Sequence, residues 1–138
     1  MIKKILIPFI IINFSLDAQN SSNSYEELLE ENPFNSMYPK FMAFESSEYF
    51  KTFNKLFSDE TPIPAKEARL AAISASAAMR CEYCIFAQVK LAKDAGASEE
   101  EIKSAIQIAA EVQRFSTLLY GNEFGFEKLS KIINKEEE

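Results

Sequence analysis

Histidine is absent from this chain of 138 residues. That absence removes much of the usual catalytic repertoire. No Ser-His or Cys-His pair can form, no imidazole can shuttle a proton, and no His can ligate a metal. Tryptophan is also missing, and glycine (3) and proline (5) are scarce. So few turn-formers, falling mostly between periodic segments, exclude a turn-rich all-β fold and favour helices. Basic charge is in deficit: the formal net charge is −6, and the chain ends on Glu136-Glu137-Glu138. Without a basic stripe to neutralise phosphates, nucleic-acid binding is not expected. The acidic terminus reads as a solvated, frayed end.

Cysteine is nearly absent too. There are two, Cys81 and Cys84. Two thiols without any histidine cannot complete a four-ligand zinc site within one chain. Attachment of c-type haem is excluded because Ile85 follows Cys84 where that motif needs His. Neither a metal nor another cofactor is therefore expected.

What is present is a composition 47% hydrophobic and 26% charged, enough for one packed domain at this length. The first residues look like an address. Lys3 and Lys4 precede an apolar run from Ile5 to Leu16, then Asp17-Ala18-Gln19 and the polar Asn20-Ser21-Ser22-Asn23-Ser24. A basic start, a short apolar run and a small residue before the cut describe a secretory signal peptide cleaved after Ala18. The run is too short to span a bilayer as a helix, so no stable membrane insertion is expected after cleavage. Residues 1–18 are thus read as signal peptide, 19–24 as linker, and 25–138 as a single helical domain. The expected location is periplasmic or secreted, an oxidising setting where a close cysteine pair is a disulfide or a working redox couple.

Along the domain, Ser24 caps a short helix over Tyr25–Glu30, with acids in its first turn, and Asn32-Pro33 stops it. The stretch from Phe34 to Phe44 is apolar and partly helical. A helix starting at Ser46 or Ser47 and running to about Phe57 carries Tyr49, Phe50, Phe53, Leu56 and Phe57 at 3–4 spacing, an aromatic stripe that reads as core. Ser58–Pro64 is a loop. Ala65–Met79 is an alanine-rich helix whose small residues allow close approach of neighbours. The next helix runs from Cys81 to Ala95, with Ile85, Phe86, Val89 and Leu91 available for packing, and Gly96 ends it. Ser98 and Glu101 form a capping box for a helix continuing toward Leu119. Tyr120-Gly121-Asn122 breaks the chain before a last amphipathic helix with Phe126, Leu129, Ile132 and Ile133.

The chemistry centres on Arg80-Cys81-Glu82-Tyr83-Cys84. Cysteines at i and i+3 share one face of a helix or its first turn. A helix N-terminus lowers thiol pKa and raises the thiolate fraction. One thiol can then attack while the other resolves by closing the disulfide. Arg80 favours a thiolate and Glu82 opposes it. The alternatives to redox work are a structural disulfide and two inert buried cysteines.

The run Lys66-Glu67-Ala68-Arg69, then Ser74 through Ile85 around the cysteines, then Lys93-Asp94-Ala95-Gly96-Ala97-Ser98 through Ile106, resembles the carboxymuconolactone decarboxylase-like superfamily in its alkylhydroperoxidase D-like branch. Cysteine pair, helix break and capping box keep the family's order over roughly residues 62–115. The resemblance implies an all-α, alkylhydroperoxidase D-like helical bundle, assembly as homotrimers or hexamers, and thiol-dependent peroxide reduction. It implies Cys84 as the thiol attacking peroxide and Cys81 as its resolving partner, whereas helix-terminus physics alone favours Cys81 as the lower-pKa thiol. The branch has a proton-relay Glu twelve residues before the first cysteine and a His four after the second. Those positions here hold Arg69 and Gln88. Glu67 is two residues off register and could substitute only if the preceding turn differs. Gln88 lies one turn beyond Cys84 on the same face, but an amide cannot titrate. Arg69 could hold a thiolate electrostatically; its plainer reading is a solvent-facing or inter-subunit salt bridge.

Three functions follow as expectations. The first is an exported thiol-disulfide oxidoreductase or weak alkyl hydroperoxide reductase, taking a hydroperoxide or disulfide substrate and electrons from a thiol reductant protein. The second is a non-catalytic helical oligomer with a structural disulfide, serving binding or scaffolding. The third, a lactone decarboxylase, ranks last, because the superfamily's decarboxylases do not rely on a CxxC pair and their acid–base work is hard to build without histidine.

Overall fold

The computed structural model of the protein describes residues 24–135. The signal peptide and nearly all of the linker expected from the sequence lie outside the described residues. Within them the chain is all-α: α1 (Tyr25–Glu31), two 3-10 turns (Pro33–Met37 and Lys40–Met42), α2 (Ala43–Lys55), α3 (Ala65–Met79), α4 (Glu82–Asp94), α5 (Glu99–Gly121) and α6 (Phe126–Asn134), with no strand among the described residues. The described residues divide into two compact units, with the boundary between Ser47 and Glu48, inside α2.

In the first unit, Ser24 and Glu27 form a reciprocal capping box at the start of α1, which satisfies amides that have no partner within the helix. Asn35 is fully buried and acts as a polar pin. Its Nδ2 donates to the Leu28 carbonyl at 2.8 Å, and its Oδ1 accepts from Ser46 Oγ at 2.8 Å. Ser46 was expected at the helix start. Instead α2 begins three residues earlier at Ala43, and the Ser46 hydroxyl bonds back to the Ala43 carbonyl at 2.9 Å. A serine already engaged this way is a helix-interior residue rather than a cap.

The second unit is built on the α3–α4–α5 layer. Ile73, Ala92, Ala97, Ile102 and Ala105 form its buried core, with Leu70 and Val89 packed against it. Ala92 on α4, Ala97 in the connection to α5 and Ala105 on α5 let the backbones come close around Ile73 of α3, which is fully buried. Ser74 Oγ donates to the Ala105 carbonyl at 2.7 Å and Gln113 Nε2 to the Ala78 carbonyl at 2.6 Å, tying α3 to α5 at two heights. Lys66 Nζ meets Glu101 Oε1 at 2.7 Å near the start of both helices. Ser98 and Glu101 form the expected capping box of α5.

Two packing expectations are corrected. Of the apolar stripe along α2 and the turn that follows it, Phe50 is buried, but Tyr49 (52%) and Leu56 (59%) are exposed. Phe86, expected to pack, is 80% exposed, because Ile85 and Val89 already occupy the sheltered side of α4. Among the described residues no helix is long and apolar enough to cross a membrane, and no group of three His, Cys, Asp or Glu side chains is placed to hold a metal ion.

Candidate active site

The site is organised by the way α3 stops. Arg80 adopts the left-handed conformation (φ 56°, ψ 36°). Its amide donates to the Ala77 carbonyl at 3.1 Å, and the Cys81 amide donates to the Ser76 carbonyl at 3.1 Å. This pair of bonds is a Schellman closure, which normally uses glycine at the left-handed position. An arginine there carries a cost of about 1 kcal/mol. The chain reverses in this single residue, so Cys81 follows directly as the N-cap of α4.

Cys81 and Cys84 form a disulfide with a Cα–Cα distance of 5.2 Å. Cys81 Sγ also accepts from the Cys84 amide at 3.3 Å, standing where a Ser or Asp oxygen usually caps a helix. On reduction, a thiolate at this place would meet the same amide and the positive end of the 13-residue α4. Both cysteines are half-buried, while Glu82 and Tyr83 between them are exposed.

One turn further along α4, Gln88 shares the face of Cys84. Helical side chains lean toward the N-terminus, so its amide lies back over the turn that carries Cys84. Gln88 Oε1 accepts a hydrogen bond of 3.0 Å from Arg69 Nη1. The Arg69 guanidinium is stacked over the Phe57 ring, 3.7 Å from its centroid. Arg69 is half-buried, and burial pulls its pKa below the usual arginine value. No carboxylate pairs with it among the described residues. Within one chain, Arg69 is thus a cation held between an aromatic face and a neutral amide. Phe57 is in turn edge-on to Phe53 at 5.2 Å, so the aromatic stripe of α2 ends as the wall behind Arg69. The 3–4 spacing of Phe53 and Phe57 is visible in the sequence, but the contact of Phe57 with Arg69 crosses a loop and is not.

Glu67 sits elsewhere. Its side chain is half-exposed and lies 3.9 Å from Lys66 Nζ. The residues brought together are thus Arg69 and Gln88, with Phe57 added, along the helix turn of Cys84. Their neighbourhood holds a disulfide, one fixed cation and an amide, with no titrating acid–base partner between Arg69 and Gln88. Such a set can lower a thiol pKa and steady a thiolate, but it cannot move a proton to a leaving group.

Searches of curated proteins and of solved structures find no match to the chain. A family model, described as the carboxymuconolactone decarboxylase family, matches residues 47–123. The matched stretch extends the resemblance seen at roughly 62–115 back through the aromatic stripe of α2 and forward to the end of α5. With more than half of its length inside that match, the chain belongs to the carboxymuconolactone decarboxylase family.

Proposed function

We propose that this protein is an exported, homo-oligomeric thiol-disulfide oxidoreductase whose working group is the Cys81–Cys84 pair, with weak alkyl hydroperoxide reduction as a side activity. The observation that carries the reading is the Arg69–Gln88 hydrogen bond beside the turn of Cys84. It puts a fixed positive charge where the alkylhydroperoxidase D-like pattern has a titrating acid and base.

The difference selects between two reactions. Reducing a hydroperoxide breaks an O–O bond and releases an alkoxide or hydroxide, which needs a proton as it leaves. Reducing a disulfide releases a thiolate, which leaves without a general acid because its pKa is near neutral. In the proposed cycle the Cys84 thiolate attacks one sulfur of a disulfide substrate. A mixed disulfide forms and the first thiolate departs to take a proton from water. The Cys81 thiolate then attacks Cys84 Sγ, the second substrate thiolate leaves, and the Cys81–Cys84 bond closes. Two electrons pass from the protein dithiol to the substrate, and a thiol reductant protein restores the dithiol.

Export is supported by the basic and apolar character of residues 1–18. Homo-oligomer formation is supported by an apolar groove of about 930 Å³ along α5 and α6, lined by Ile108, Val112, Phe115, Phe126 and Leu129 among others. An exposed apolar surface of this kind marks an interaction site.

Purified protein, reduced and desalted, should release thiols from a small disulfide with Cys84→Ser abolishing the release. It should consume a hydroperoxide only slowly. Thiol release by the Cys84→Ser protein equal in rate to that of the wild type overturns the reading. The second reading, a non-catalytic scaffold with a structural disulfide, is favoured by the missing relay, and it predicts a pair that resists reduction and no turnover.

A further inference from the structure

We infer that Arg69 makes this site select anionic partners, namely small disulfides carrying a carboxylate within a few bonds of the sulfur. This inference rests on the exchange reading above and adds the substrate class to it.

Three observations converge. First, among the described residues Arg69 is a cation without an anion. Its side-chain hydrogen bond among the described residues goes to the neutral Gln88 amide. Several other cations of the second unit are matched, among them Lys66 with Glu101, Lys90 with Asp94, and Lys103 with Glu100, and those left unpaired, such as Arg80, are exposed. The acids nearest to it in sequence do not supply the missing charge, since Glu67 lies beside Lys66. A half-buried charge left without a counter-ion is unfavourable unless a ligand brings one.

Second, the guanidinium is pre-oriented. Phe57 fixes its face at 3.7 Å and Gln88 fixes one edge. A guanidinium has five N–H donors in a rigid fork, so the remaining donors can meet a carboxylate in the two-bond geometry that arginine favours. Because Gln88 accepts through Oε1, its Nε2 is left as a further donor on the same side.

Third, this place lies along the turn of Cys84, one turn above the positive end of α4. A substrate carboxylate on Arg69 would set its sulfur toward Cys84. The whole chain has a net charge of −6, which disfavours approach of anions. A preference for anionic substrates can then arise only from a local cation.

The test uses reduced, desalted full-length protein and stopped-flow release of thiol at constant pH. The substrates are 5,5′-dithiobis(2-nitrobenzoate), a dianion, 4,4′-dithiodipyridine, neutral, and cystamine, a dication. Their intrinsic reactivities differ, so the readout is the ratio of second-order rate constants. In Arg69→Gln the dianion-to-neutral ratio should fall about fivefold, the upper size measured for one solvent-accessible charge pair. Arg69→Lys should keep part of the ratio, and the cystamine-to-neutral ratio should rise in Arg69→Gln. In the wild type the dianion-to-neutral ratio should fall as NaCl is raised from about 20 to about 500 mM, because screening shortens the reach of the charge. The salt series needs no variant and decides the matter if Arg69→Gln does not fold. A ratio that neither salt nor either substitution changes overturns anion selection while leaving exchange intact. Absence of thiol release from all three substrates overturns exchange and anion selection together. A thiolate pKa for each variant, read from the pH profile with the neutral substrate, separates an effect on the nucleophile from an effect on binding.

Discussion

Arg69 Nη1 and Gln88 Oε1 lie 3.0 Å apart, joining α3 to α4 at the two positions where the alkylhydroperoxidase D-like pattern places its acid and its base. A guanidinium stays charged across the working pH range and an amide does not titrate, so the pair can hold charge but cannot relay a proton.

The first prediction restores the relay. Arg69→Glu combined with Gln88→His should raise hydroperoxide turnover by about a hundredfold, the lower range of what a positioned acid–base group supplies. Either single substitution should give much less, because each leaves one half of the pair unable to titrate. Peroxide consumption with a dithiol reductant checks this. A double variant no faster than the wild type would show that something besides the relay limits the reaction.

A second prediction separates the cysteines. With Cys84 as the attacking thiol, Cys81→Ser should still react once and accumulate a mixed disulfide that mass spectrometry detects, and Cys84→Ser should not. Helix-terminus electrostatics pull the other way, since Cys81 is the N-cap and receives the Cys84 amide. Trapping on Cys81 in the Cys84→Ser protein would reverse the roles.

Much of this arrangement is legible in the residues. Ser24 with Glu27 and Ser98 with Glu101 announce helix starts by local hydrogen bonding, and local signals survive folding. Ala65–Met79 is readable to the residue because Pro64 before it and the cysteine turn after it bound the segment. The start of α2 is not, because Ser46 is drawn inward by Asn35, eleven residues away in sequence. The environment of Arg69 is hidden for the same reason. Its partners, Phe57 and Gln88, lie on separate elements, and a lone arginine in an amphipathic helix looks like a surface charge until those elements meet.

The turn between α3 and α4 yields a third prediction. Arg80 holds a positive φ of 56° at a position that glycine occupies at lower cost. Arg80→Gly should stabilise the oxidised protein by about 0.5–1 kcal/mol, strain relief outweighing the added freedom of the unfolded chain. Urea denaturation of both proteins in the disulfide form measures it. A loss of stability would mean that the Arg80 side chain makes a compensating contact.

A fourth concerns pH. The Lys66 ammonium, hydrogen-bonded to Glu101, and the Ser98 cap together hold the Glu101 carboxyl down at about 2. A depressed carboxyl pKa adds stability that is complete above its ordinary value near 4.5 and is lost as pH falls toward 2. The same contact raises the Lys66 pKa, so its share persists through neutral pH and fades only in strong base. The difference in melting temperature between wild type and Glu101→Gln should therefore be constant from about pH 7 to about pH 5 and shrink below about pH 4. A difference independent of pH down to about 2 would show that the pair contributes nothing through charge.

The central claim is that Cys81 and Cys84 form a working couple rather than a structural clasp. The most direct test is the reduction potential of the pair, from equilibration with dithiothreitol or glutathione buffers and alkylation of free thiols. A positive helix end and a nearby guanidinium stabilise the thiolate and hence the reduced form. The potential should accordingly lie within roughly −270 to −120 mV, the span of exchange catalysts, and move toward more negative values in Arg69→Gln. A potential below about −300 mV, where structural disulfides of secreted proteins lie, would contradict the account.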